Sequence, residues 1–323
     1  MDISVVIPLY NEEESIPELY AWIRRVMQEH QFTYEVIFVN DGSTDESPPM
    51  VDRYANAHPG RVRALHRENG GLVRAWSDGV QIARGDYLCF VDSDDWIDAE
   101  MLEELATLLK RDGMSGALLP GQIVCCGYRI EYPRRPPRPV SHSLPEGIYE
   151  GETLLTDLKR EVLGHETRRV ILSRCMKLFS RELILRNLRL LDLSIRLGED
   201  VTITVPALLD ADRVVLTNAC HYHYLFQTDS MAHRYDAGFY DDCLRLRGCL
   251  TRIVREKGMP SEEKVRQEFL FLFLQTIKVE IRRRDGRLLS GQADHSRQPP
   301  DRVCVRTAIR PSRHSGPADL PGL

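Results

Sequence analysis

The segment YLCFVDSDDWI, Tyr87 to Ile97, decides the fold. Its first five residues, Tyr87 to Val91, form a short apolar run that leads straight into Asp92-Ser93-Asp94-Asp95. A run of this kind fits a strand buried on both faces, as parallel sheets require. The same unit recurs upstream. ISVVIPL (Ile3 to Leu9) and YEVIFV (Tyr34 to Val39) read as buried strands, the second ending in Asn40-Asp41-Gly42-Ser43, and Val62 to His66 reads as a third. Helical patterns lie between them. The first has Ile16, Leu19, Ile23, Val26 and Met27 on one side, with Ser15 and Glu18 at capping-box spacing. Others cover Thr44 to Ala57 and Ala75 to Ala83. Downstream, Asp98 is placed to cap a helix whose apolar face is Met101, Leu102, Leu105, Leu108 and Leu109. Strand and helix alternate through short connections. That predicts an α/β fold with a doubly wound, mostly parallel sheet and helices on both faces. Such sheets bind ligands at the carboxyl ends of their strands. Tyr10-Asn11-Glu12, Asp41 and Asp92 to Asp95 all fall there.

Beyond residue 113 the pattern loosens. PRRPPRP (Pro133 to Pro139) reads as a surface loop. Glu152 to Leu163 reads as helix, and Met176 to Phe179 as a strand before a helix from Arg181. Leu197-Gly198-Glu199-Asp200 opens a further helix. Val214 to Leu216 and Cys220 to Leu225 read as short strands, and Ala237 to Glu256 and Ser261 to Arg284 as two final helices. The expected organisation is a sheet domain over 1–215, with halves 1–115 and 116–215. A C-terminal helical region over 216–285 and a disordered tail over 286–323 follow.

Composition narrows the function. The 323 residues are 42% hydrophobic and 28% charged, which excludes wholesale disorder. A net charge of −5 offers no global basic footprint for nucleic acid. No window approaches the roughly 18–20 apolar residues of a spanning helix, and Met1-Asp2-Ile3 lacks the features of a secretory leader. The eight cysteines are scattered with no C-x-x-C pair, so neither a zinc site nor a redox motif is expected. The expected setting is the reducing cytosol.

Asp92-Ser93-Asp94 sets two carboxylates just past a buried strand. Oxygen donors suit Mg²⁺ or Mn²⁺, and a sparse carboxylate set leaves room for a nucleotide's phosphates to complete the shell. The alternative is a solvated turn running into a helix cap at Asp95 or Asp98. Asp41-Gly42-Ser43 has a similar alternative as a polar turn, and Glu12 and Glu199-Asp200 as acidic helix starts. Their order and their placement at strand ends are more specific than any one of them.

These segments resemble family 2 of the glycosyltransferases, which has the GT-A fold. The resemblance rests on SVVIPLYNEE (Ser4 to Glu13), VIFVNDGSTDES (Val36 to Ser47), ENGGL (Glu68 to Leu72), ARGDYLCFVDSDDWI (Ala83 to Ile97) and LGED (Leu197 to Asp200). RCMKLFSREL (Arg174 to Leu183) resembles a segment common in bacterial members. The resemblance covers residues 3–231. It implies inverting hexosyl transfer from a UDP-sugar to a saccharide or lipid-linked acceptor, in synthesis of a surface polysaccharide or glycolipid. It also implies roles. Pro8, Tyr10 and Glu12 would line the base and ribose pocket, and Asp41 would hydrogen-bond the base. Asp92 would face the ribose or sugar, and Asp94 would bind the Mn²⁺ or Mg²⁺ that bridges the diphosphate. Asp200 would be the general base, with Glu199 orienting that base or the acceptor. His221 or His223 would complete the metal or diphosphate contacts; the other reading of these histidines is half-buried packing in a strand.

One departure stands out. After Asn69-Gly70-Gly71-Leu72 the family commonly reads S-A-A-R-N, whereas here Trp76 and Ser77 hold the Arg and Asn places and Arg74 sits on a different helical face. Trp76 is either a core residue or a stacking platform for a sugar. A catalytically weakened nucleotide-sugar binder is the resulting alternative. A nucleotidyltransferase would need a basic, Gly-rich loop after the first strand, where Glu12-Glu13-Glu14 stand instead, and a dinucleotide enzyme would need G-x-G-x-x-G. Finally, Phe269, Phe271, Leu272, Phe273, Ile277 and Ile281, followed by Arg282, Arg283 and Arg284 and joined by Lys278, form either a helix resting on the inner membrane surface or a domain-packing helix.

Overall fold

Seven consecutive buried residues, Ile3–Leu9, form β1, and helix α1 (Ile16–Glu29) follows it. The next elements are β2 (Tyr34–Asp41), α2 (Ser47–Ala57), β3 (Val62–Arg67), α3 (Leu72–Ile82), β4 (Tyr87–Phe90), β5 (Trp96–Ile97) and α4 (Met101–Thr107). The second half contains β6 (Gln122–Tyr132), β7 (Arg135–Val140), β8 (Gly147–Glu150) and a short α5 (Gly151–Thr153) that continues as a π-helix over Leu154–Lys159. Then come β9 (Lys177–Ser180), α6 (Arg181–Asn187), α7 (Glu199–Asp210), β10 (Arg213–Leu225), α8 (Phe239–Lys257) and a last helix α9 over 262–274. The structure is a computed structural model, and it describes residues 1–274 and 277 apart from 30–32, 112, 115, 197 and 227–237.

The strands form one ten-stranded sheet in the order β3-β2-β1-β4-β9-β6-β10-β5, with β7 and β8 added on β6 and β10. β3, β2, β1 and β4 are mutually parallel, as are β6 and β10, while β9 runs antiparallel between β4 and β6. The expected doubly wound, mostly parallel sheet is therefore present. Right-handed crossovers place α1 and α2 on one face and α3, which returns across β2 and β1 to β4, on the other. The sheet interior is Val, Ile and Phe: Val5, Val6, Ile7, Ile37, Phe38 and Phe90 are fully buried. Met1–Glu280 pack as one compact unit.

Several local expectations change. PRRPPRP is largely a strand: β7 pairs antiparallel with β6 alone. Pro136, Pro137 and Pro139 are tolerated because an edge strand leaves one row of backbone groups to water. The two strands expected over 214–225 are one, β10, interrupted by a register shift between Leu216 and Cys220. Trp96–Ile97 forms a two-residue strand against β10. Asp98 caps no helix with its side chain; its carbonyl accepts from Met101 N–H at 3.2 Å and its carboxylate turns toward β10. Phe269 and Phe273 stack on each other, with Tyr240 edge-on to Phe273 and Arg247 over Phe269, so that face of α9 packs on α8. Leu270, Leu274 and Ile277 are exposed. Lys278, Ile281, Arg282, Arg283, Arg284 and the tail 286–323 lie outside the described residues. Among the described residues no helix is long and apolar enough to cross a membrane.

Candidate active site

From β1 the sheet extends one way to β2 and β3 and the other way to β4. The loops after β1 and β4 therefore diverge and leave a crevice, the topological switch point where open α/β sheets bind ligands. Pro8 sits at its lip. The Val6 carbonyl accepts from Val91 N–H at 3.2 Å. Alternation along the strand then turns Pro8's nitrogen to the same side, beyond the last β4 partner, Phe90. A residue without an N–H costs nothing there.

The loops after β1 and β2 are stitched together. Asn11 N–H donates to Ser43 Oγ at 2.9 Å, and Asn11 Oδ1 accepts from Thr44 N–H at 2.8 Å. Glu12 N–H donates to Ser47 Oγ at 2.8 Å, and Glu46 N–H donates to the Glu13 carboxylate at 2.7 Å. Asn11 takes φ +55°, a conformation asparagine tolerates. This holds Tyr10, 50% exposed, at the crevice rim. The Glu12 carboxylate accepts from the Ser15 hydroxyl.

Asp41, at the end of β2, is buried and organises the next loop. Its two oxygens accept from Gly70 N–H at 2.9 Å and Gly71 N–H at 2.8 Å, and Arg67 Nη1 lies 2.5 Å from Oδ1. Both oxygens are thus held by protein donors. A methyl group on Gly70 would lie 2.7 Å from Arg67 Nη1 and 2.8 Å from Arg74 Cδ, so both arginines flank this turn. They also line a cleft of about 410 Å³ between α3 and the segment after α6.

The aspartate cluster after β4 divides by partner. Asp95 is buried, accepting from the Tyr222 hydroxyl at 2.7 Å and from Leu225 N–H at 3.0 Å. Burial and the charges of Asp94 and Asp92 push it well above the usual carboxylate range. Asp94 is pushed up to about 6, by burial first and then by Asp92 and Glu12. Asp92 accepts from Cys175 Sγ at 3.5 Å and pairs with Arg174 Nη2. Burial raises it and the Asp200 charge adds to that, with Arg174 opposing.

Arg174 draws the second acidic motif to the first. Its Nη1 lies 2.5 Å from Asp200 Oδ1 and 3.6 Å from Glu199 Oε1. Glu199 and Asp200 begin α7, behind Gly198 at φ +75°. Burial and the adjoining Asp200 push Glu199 up to about 8, against Arg174. Asp92, Glu199 and Asp200 thus share one buried guanidinium. Arg174 falls within RCMKLFSREL, but a lone arginine carries no spacing signal.

His223, the expected metal ligand, has both ring nitrogens engaged by carboxylates. Its Nδ1 lies 2.8 Å from Glu131 and its Nε2 2.9 Å from Asp98, and its ring stacks on Trp96 with centroids 5.0 Å apart. His221 pairs with Asp98 at 3.2 Å and Glu104 at 2.7 Å. Trp76 is fully buried and packs edge-on to Phe90 at 5.8 Å, which is the core reading rather than a sugar platform.

The family model described as glycosyl transferase family 2 matches residues 4–184. The chain belongs to glycosyl transferase family 2. It is 31% identical over 230 residues to the uncharacterized glycosyltransferase EpsJ of Bacillus subtilis (strain 168), covering 71% of this chain and 62% of EpsJ. It is 28% identical over 231 residues to a poly(ribitol-phosphate) beta-glucosyltransferase of Bacillus spizizenii, covering 71% of this chain and 33% of that protein. The chain thus spans under two thirds of the length of both. Among solved structures, TarS residues 1–349 of S. aureus in complex with UDP-GlcNAc align with a TM-score of 0.55 at 23% identity, covering 77% of this chain and 66% of that one. That likeness shows the GT-A-type fold, with its mixed, mostly parallel sheet.

For a family 2 member the fit of a divalent cation is a chemical question about Asp94. Among the described residues no group of three or more His, Cys, Asp or Glu side chains forms a closed metal cage. A sparse oxygen set suits Mg²⁺-like ions that retain positions for phosphate oxygens. A carboxyl raised by burial and by two neighbouring acids is also one that a cation would return to its ionised form. The residues present fit the group.

Proposed function

We propose that this family 2 chain transfers a sugar from a UDP-sugar to an acceptor hydroxyl, with inversion at the anomeric carbon. The observation that carries the reading is the meeting of two acidic motifs on one arginine: Asp92, from the loop after β4, and Asp200, from the first turn of α7, both pair with Arg174. The nucleotide assignment is supported by TarS, whose structure was solved with UDP and with UDP-GlcNAc. A polyol-phosphate polymer acceptor is supported by the poly(ribitol-phosphate) glycosyltransferases among the relatives.

In this mechanism Pro8, Tyr10 and Glu12 line the nucleotide pocket and Asp41 holds the loop that closes it. Asp92 faces the sugar side. Asp94 would hold Mn²⁺ or Mg²⁺, which would supply Lewis-acid stabilisation of the departing diphosphate. Asp200 takes the proton of the acceptor hydroxyl as that oxygen attacks the anomeric carbon from the face opposite the diphosphate. General-base help of this kind is worth roughly 10²–10⁴-fold. Glu199, its carboxyl raised by burial and by the adjoining Asp200, orients the acceptor or the base. One base and an in-line displacement give inversion without a covalent sugar–enzyme intermediate.

The test is UDP release from UDP-GlcNAc and UDP-glucose with Mn²⁺ present. The expected result is turnover of at least one donor, lost in Asp94→Ala and in Asp200→Asn. A folded chain that neither binds UDP nor turns over any UDP-sugar would refute the reading.

A further inference from the structure

Arg174 is 1% exposed, yet its donors are not spent on backbone carbonyls as those of a framework arginine would be. One Nη serves Asp92 and the other serves Asp200, with Glu199 at 3.6 Å, while the buried Nε has no hydrogen-bond partner. The neighbouring buried cation, Lys177, shows the contrast: its Nζ donates to the Ser173 and Cys175 carbonyls at 2.7 and 3.5 Å. The backbone beside Arg174 is anchored by a bridge between Cys175 and Phe90. Phe90 is itself wedged edge-on between Trp76 at 5.8 Å and Phe179 at 6.1 Å. At position 76 helix α3 thus contributes a ring that backs the β4 end. A guanidinium stays ionised and has a rigid planar fork, so it can fix the separation and angle of two carboxylates at once.

We propose that Arg174 is the positioning residue of the transfer reaction, holding the base Asp200 on the acceptor side in register with Asp92 on the donor side. The proposal rests on the glycosyl-transfer reading with Asp200 as base. Misplacing a reacting group by about 1 Å costs on the order of 10²-fold in rate, and that is the scale expected here. A lysine ammonium is a point charge that can serve one carboxylate well but cannot bridge two in a fixed plane.

The test measures wild type, Arg174→Lys and Arg174→Gln as full chains for UDP release from whichever of UDP-GlcNAc and UDP-glucose the wild type turns over. UDP binding by calorimetry and thermal unfolding accompany the kinetics. The expected result is a kcat roughly 10²-fold lower in Arg174→Lys and lower again in Arg174→Gln. KM and UDP affinity stay within about threefold of wild type. A kcat within threefold of wild type in either variant overturns the proposal. So does a rise in KM at constant kcat, which would make Arg174 a donor-binding residue. Failure of both variants to fold would make it a framework residue and also overturns it. A wild-type chain without turnover refutes the underlying reading instead, so the two failures are distinguishable.

Discussion

The Tyr222 hydroxyl donates to Asp95 Oδ2 at 2.7 Å and accepts the Asp92 backbone N–H at 3.2 Å. One phenol from β10 thereby holds both ends of the Asp92–Asp95 turn. Strand β10 lies across the sheet from β1, so the half of the chain that carries β6 and β10 shapes the loop at the crevice.

Replacing Tyr222 by Phe keeps the ring and removes this clamp. Asp95 loses a donor in a buried place and Asp92 N–H loses its acceptor, and each stranded group costs about 1–3 kcal/mol. Urea unfolding of Tyr222→Phe is expected to show a loss of about 2 kcal/mol, with UDP affinity falling as the turn loosens. Unchanged stability with unchanged UDP affinity would show that the turn stands without it.

Trp76 invites a substitution toward the family's usual residue, and the packing argues against it. The indole is fully buried against Phe90, and its surroundings offer Nε1 no hydrogen-bond partner. Trp76→Arg would bury a charge in an apolar pocket, at a cost of several kcal/mol. The expected outcome is insoluble or thermally labile protein rather than raised activity. Trp76→Phe, which keeps an aromatic body but leaves a void, should cost less than the roughly 3–5 kcal/mol of a Trp→Ala truncation. Thermal unfolding of both variants checks the order.

The elements legible in the sequence are those whose burial is local to the chain. β1, β2 and β4 are buried on both faces, so their apolar runs are unmistakable, and the acidic loops follow directly from their ends. Trp96–Ile97 is too short to carry a period, and it is a strand only because β10 supplies a partner from Tyr222 and His223. Asp98 reads as a helix cap because capping is a local rule, whereas its partners His221 and His223 come from more than a hundred residues away. Arg174 belongs to the same class. It meets Asp92 only because β9 enters the sheet antiparallel beside β4, a pairing that no local pattern encodes.

Asp41 offers a test of loop shaping that is separate from chemistry. Its carboxylate is acceptor-only, and both oxygens face donors: Gly70 N–H, Gly71 N–H and Arg67. Asp41→Asn would turn one acceptor into an NH₂ group aimed at an N–H or a guanidinium. The expected effect is a loss of about 1–3 kcal/mol, concentrated in this loop. Amide exchange should then speed up at Gly70 and Gly71 while the β1 amides keep their protection. Equal protection of Gly70 and Gly71 in the variant and the wild type would show that the charge is not what holds the turn.

The His221 cluster gives stability a definite pH dependence. The hydrogen bond to Asp98 raises the His221 pKa above 6.5, with Glu104 adding to it, and both outweigh burial. Asp98 moves the other way: burial would raise it, but the hydrogen bonds from His221 and His223 hold it well below the usual carboxylate range. For a histidine whose folded value is raised, the stabilisation is fully present below the unfolded value near 6.5 and is lost as pH rises through the folded value. For the depressed Asp98 it is present above about 3.8 and lost as pH falls. The window of greatest benefit is therefore mildly acidic, between those two limits. His221→Gln keeps a polar side chain but cannot charge. Its deficit relative to wild type in urea unfolding is expected to be about 1 kcal/mol near pH 6, since Asp98 and Glu104 remain partly solvated. By pH 9 that deficit should shrink toward the cost of the lost neutral hydrogen bonds. A deficit that stays constant or grows between pH 6 and pH 9 would mean that His221 acts as a neutral packing residue.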